Sequence, residues 1–149
     1  MLGKLRIGCL LALVAVAATI GCGEKPFVSP EGALAEYIEA YNDGDTKKMA
    51  VCGDDADVRG LFTLRNQNLL GDNVVKHVKG IQFEVLGVDQ RPRSTLSHHF
   101  LTEDAWVEAE FTSSENPEFR KVGVVRLVNR TNSYYIEEPH WQLVPLEGE

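Results

Sequence analysis

The apolar residues of this chain change their spacing near Gly80, and that change limits the folds open to it. Before it they recur at helical intervals; after it they alternate. Ser29-Pro30-Glu31 reads as a helix start: Ser caps free N–H groups, Pro suits the first turn, and Glu complements the positive dipole end. Leu34, Tyr37, Ile38 and Tyr41 follow on one face, and Asn42-Asp43-Gly44 closes the helix. Asp45 caps a second, shorter helix through about Cys52. A third is expected from Asp55 or Asp57, with Val58, Leu61, Phe62, Arg65 and Leu69 on its face and a break at Gly71-Asp72-Asn73.

Past Gly80, Ile81, Phe83 and Val85 alternate with Gln82 and Glu84, and Gly87 marks a bulge that shifts the phase to Val88. Arg91-Pro92-Arg93 reads as a turn. Leu96, His98 and Phe100 suggest a second strand. A third sets Ala105, Val107, Ala109 and Phe111 against Trp106, Glu108 and Glu110. Val122 to Val128 makes a fourth, and His140-Trp141-Gln142-Leu143-Val144 a fifth. Helices first and antiparallel strands after them give an α+β domain over 30–149, its helices packed on a curved sheet.

The first 29 residues have another character. Met1 to Arg6 carries Lys4 and Arg6, and Ile7 to Ile20 is uncharged. This layout is that of a secretory signal peptide. As a helix, the uncharged run would span about 21 Å, short of the ~30 Å hydrocarbon core of a bilayer. Without residues 1–21 the chain holds 13 basic and 22 acidic residues, a net charge of −9. So acidic a body is repelled by phosphate backbones and anionic headgroups, which argues against nucleic-acid binding.

Thr19, Ile20, Gly21 and Cys22 resemble the lipobox of bacterial lipoproteins, with Thr19 standing where Leu is usual. The resemblance implies a diacylglyceryl group on the Cys22 thiol, cleavage before Cys22 and acylation of the new amine. Residues 1–21 would be the signal peptide and residues 22–29 the lipidated Cys with a short tether. Two or three acyl chains anchor firmly where one is marginal. Gly23, in place of the Asp that favours inner-membrane retention, leans toward the periplasmic side of an outer membrane in a host that has one. With Cys9 removed and Cys22 consumed, Cys52 is expected as a buried, inert thiol, and the domain folds by its core alone.

Pro30 to Thr46, an aliphatic–aromatic helix ending in a polar Asn-Asp-Gly-Asp turn, resembles the first helix of nuclear transport factor 2-like domains, also called cystatin-like. Trp141-Gln142-Leu143 resembles that superfamily's last strand. The resemblance implies a cone with an apolar mouth between helices and sheet. Some members are dehydratases or isomerases and many are binding or assembly domains, so the fold leaves activity open.

Candidate chemistry is sparse. No phosphate-binding loop, dinucleotide fingerprint or nucleophile elbow is present, so no cofactor is implied. His77, His98, His99 and His140 lack metal-ligand spacing, and His98 and His99, adjacent in a strand, would point to opposite faces. His98 is the sole candidate for a catalytic base. Glu108 and Glu110 share a strand side that reads as solvated. Asp54, Asp55 and Asp57 read as helix-start residues. Tyr37, Tyr41, Phe62 and Trp141 are the candidates to line a pocket for a small apolar ligand. The leading expectation is a membrane-anchored, non-enzymatic binding or assembly module with an envelope protein partner. The alternative is a small cone-pocket enzyme.

Overall fold

The computed structural model describes residues 25–67, 73–94, 100–132 and 138–146. Among the described residues three helices come first: α1 (Pro30–Asp43), α2 (Thr46–Cys52) and α3 (Ala56–Leu61). Six described strands follow: β1 (Thr63–Gln67), β2 (Asn73–His77), β3 (Ile81–Ser94), β4 (Phe100–Ser113), β5 (Arg120–Asn132) and β6 (Trp141–Val144). Strands β3-β4-β5-β6 form an antiparallel meander, and β1-β2 a separate hairpin. The protein is thus an α+β domain, helices first and a curved antiparallel sheet after them.

Local chemistry explains the first two helices. The Ser29 hydroxyl accepts from Gly32 N–H at 3.0 Å, and Gly44 closes α1 at φ 70°, a left-handed conformation that suits Gly. The Asp45 carboxylate accepts from Lys47 and Lys48 N–H at 3.1 and 3.0 Å, capping α2. Lys48 ties α2 back to α1 through Glu36 at 2.8 Å and Glu39 at 2.9 Å.

The third helix is shorter than its periodicity suggests. It stops at Leu61, Phe62 N–H turns back to Arg59 O, and the chain leaves as β1. Arg65, expected on the helix face, lies in β1 and pairs with Val75; Leu69 lies outside the described residues. Gly60 weakens the helix end, and the ladder with β2 supplies the hydrogen bonds a longer helix would have made.

Among the described residues the meander has fewer strands than expected. Arg91-Pro92-Arg93 is no turn but part of β3, where Pro92 pairs with Glu103. Pro is tolerated there because β3 is an edge of this sheet, so its missing N–H need not break a ladder. Phe100 opens β4 itself, and Leu96 and His98 lie outside the described residues. The bulge falls where Gly87 suggests, between Val85 and Gly87.

Cross-strand register settles the two faces. Ala105, Val107, Ala109 and Phe111 are buried, facing the helices with Val125 and Leu127 opposite two of them. Tyr37, Tyr41, Ile38, Leu34, Phe62, Trp141 and Leu143 complete this core. Gly123 lets Leu61 approach the sheet: a Cβ there would lie 2.7 Å from Leu61 Cδ1.

Polar side chains fasten helices to sheet. The Asn42 amide imitates a neighbouring strand, donating to Ile81 O at 2.9 Å and accepting from Ile81 N–H at 2.8 Å. The Tyr41 hydroxyl donates to Val78 O at 2.7 Å. At the other end, Trp141 N–H donates to Phe27 O at 2.9 Å, and the Phe27 ring lies 4.6 Å from that of His140. From Phe27 onward, therefore, the chain is held against the domain.

A candidate binding trough on the outer sheet face

Alternation in β3, β4 and β5 puts the residues between the buried ones on the sheet's outer side. Asp89, Trp106 and Arg126 form one cross-strand row, and Gly87, Glu108 and Val124 the next. Glu84, Glu110 and Val122 form a third. Between the first two rows lies an open trough of about 330 Å³, lined by Gly87, Val88, Asp89, Trp106, Glu108 and Val124. Gly87 makes room for it: a Cβ built there meets nothing within 4 Å.

Trp106 is the largest side chain in the trough, and two guanidinium groups approach its ring. Arg91 lies 5.5 Å from the ring centroid and Arg126 5.9 Å. Both distances suit cation–π attraction. Each also pairs with an aspartate, but the two differ in burial. Arg126 is buried, donating to Asp104 at 3.3 Å and to Pro145 O at 3.2 Å. Arg91 projects into solvent with 69% of its side chain exposed, clamped on Asp89 by contacts of 2.6 and 3.2 Å. The Asp89 carboxylate raises the Arg91 pKa further, so its charge is permanent.

The trough's second carboxylate is differently placed. Glu108 is exposed, and among the described residues no cation pairs with it. Its neighbour Glu110 is held by Arg120 at 2.6 and 3.0 Å, which lowers the Glu110 pKa. Both glutamates thus lie on the solvated side, as the alternation suggests.

The aromatic residues singled out from the sequence lie on the opposite side of the sheet. Tyr37, Tyr41, Phe62 and Trp141 are buried, none more than 4% exposed. Tyr41 and Phe62 rings stand 5.0 Å apart, and Phe62 meets Phe111 edge-on at 5.2 Å. Burial, reinforced by the charge of Asp55 and a 3.0 Å bond to it, drives the Tyr37 pKa far above its usual value. Arg59 holds the other Asp55 oxygen at 2.8 Å. These side chains are mutually satisfied and form the packed interior. His98 and Cys22 lie outside the described residues. His77 and His140 are exposed, and among the described residues no cluster of His, Cys, Asp or Glu could hold a metal ion. Cys52 is buried, its thiol donating to Lys48 O at 3.3 Å, and burial pushes its pKa up to about 11.

Trp106 and Asp89 were not singled out as site residues by sequence. The available signal was a tryptophan on the polar side of an alternating strand, where burial does not explain it. Compared with protein-family models, curated proteins and solved structures, the chain matches none.

Proposed function

We propose that the protein is a lipid-anchored binding module of the bacterial cell envelope, with a nuclear transport factor 2-like domain carried on Cys22. The observation that carries the anchoring is the uncharged run from Ile7 to Ile20, preceded by Lys4 and Arg6 and ending at Gly21-Cys22. Export followed by acylation of Cys22 uses each of these features. Helices before a curved antiparallel meander suit the cone resemblance.

The binding surface is the outer face of the sheet. The space between helices and sheet, where a cone-pocket enzyme would work, is filled by Tyr37, Tyr41, Phe62, Phe111 and Trp141. The outer face instead offers an indole, two carboxylates and exposed Val122 and Val124. Phe27, five residues beyond Cys22, is docked against His140, so the span from Cys22 to the domain is at most roughly 18 Å. The domain would ride close to the bilayer and meet other surface-bound molecules at high effective concentration.

Detergent phase partitioning tests the anchoring. The native protein should enter the detergent phase and Cys22→Ser the aqueous phase. A Cys22→Ser protein that still enters the detergent phase contradicts the proposal.

A further inference from the structure

The geometry points to a specific occupant of the outer trough: the guanidinium of an arginine in an extended segment of a partner protein, seated on Trp106 between Asp89 and Glu108. This rests on the binding-module reading above and names what that module takes.

The protein itself displays the chemistry. Arg91 already stacks at 5.5 Å over Trp106 and forms the two-point contact with Asp89. A planar guanidinium fits both a ring face and a carboxylate fork, which an ammonium does not. Yet the hold of Arg91 on the indole is a surface contact, open to solvent. Arg91 is exposed, reaches the trough from its rim, and lies in an edge strand. Glu108, across the trough, has no cation of its own among the described residues. With the charge of Arg126 balanced by Asp104, Asp89 and Glu108 carry two negative charges against the one that Arg91 supplies. An incoming arginine would displace Arg91 from the indole, pair with Glu108 and restore neutrality. The domain's net charge of −9 would steer a basic segment toward it. An extended segment is the fitting form, because the trough is shallow and open along the sheet and β3 is its edge.

The test uses the full-length protein in non-ionic detergent, titrated with a short arginine-containing peptide and followed by tryptophan indole NMR signals. Trp141, buried in the core, serves as an internal control. The Trp106 signal should shift with the arginine peptide and stay still with its neutral citrulline counterpart. Gly87→Leu, whose side chain enters open space, should abolish the shift while leaving the Trp141 signal in place. Arg91→Ala, by removing the competitor, should tighten binding about two- to five-fold, the size of an exposed cation–π contact. Cys22→Ser should bind the peptide unchanged, which separates failure here from failure of the anchoring proposal. Equal shifts with the citrulline peptide, no shift at millimolar peptide, or weaker binding in Arg91→Ala would each overturn the proposal. So would free arginine amide binding as tightly as the peptide, which would make the occupant a small molecule.

Discussion

Replacing Gly53 with Ala should unlatch the helical layer from the last strand of the sheet. Gly53 makes a parallel bridge with Leu143, and the next residue, Asp54, donates its N–H to Leu143 O at 3.0 Å. Three costs combine. Gly53 sits at φ 118°, where an L side chain is strained by about 1–3 kcal/mol. The added Cβ would collide with the Leu143 carbonyl oxygen and lie 2.8 Å from Leu143 N, both backbone atoms without a rotamer to yield. The forced separation removes the Asp54 bond, worth about 1 kcal/mol. Together these predict a loss of about 3–5 kcal/mol, or a fall in Tm of roughly 10–25 °C for a domain of this size. Thermal unfolding of the full chain in detergent by circular dichroism measures it, and amide exchange at Asp54 locates it. A Tm within about 2 °C of the native protein, with Asp54 still protected, would refute the latch.

Two further predictions follow from buried ionisable groups. Tyr37→Phe should cost about 1.5–3 kcal/mol near neutral pH, the worth of a bond to a charged partner. Because the Tyr37 pKa is raised by folding, its contribution is whole below about pH 10 and is lost as pH rises further; the gap between the two proteins in urea unfolding should therefore narrow at alkaline pH. Cys52, raised from 9.0 to about 11, should resist thiol reagents at pH 8 until the protein unfolds. The same shift removes about 2–3 kcal/mol of stability as pH climbs from 9 to 11; Cys52→Ala should lack that part of the alkaline decline.

The parts of the fold legible in the sequence are those with local causes. Ser29 and Asp45 announce helix starts by their own side-chain chemistry, and Gly87 announces the bulge because a strand interior otherwise disfavours Gly. Alternation in β4 assigns Trp106, Glu108 and Glu110 to the outside. The β1–β2 hairpin was hidden because Thr63-Leu64-Arg65-Asn66-Gln67 holds one apolar residue and so has no period of its own. Pro92 read as a turn because nothing in its neighbourhood says that β3 is an edge. The site was partly hidden for a related reason. Tyr37 and Tyr41 look alike whether they pack a core or line a pocket, and only their packing against Phe62 and Val78 decides between the two. The trough depends on neighbours from three strands, and residues 87, 106 and 124 share no sequence pattern.

Intact mass and N-terminal fragment analysis of the protein extracted from its native membrane bears most directly on the account. The predicted result is a chain beginning at Cys22 and heavier than the polypeptide from Cys22 to Glu149 by a diacylglyceryl group, or by that group and an amide-linked acyl chain. A chain that starts elsewhere, or whose mass equals that of its amino acids, would contradict it.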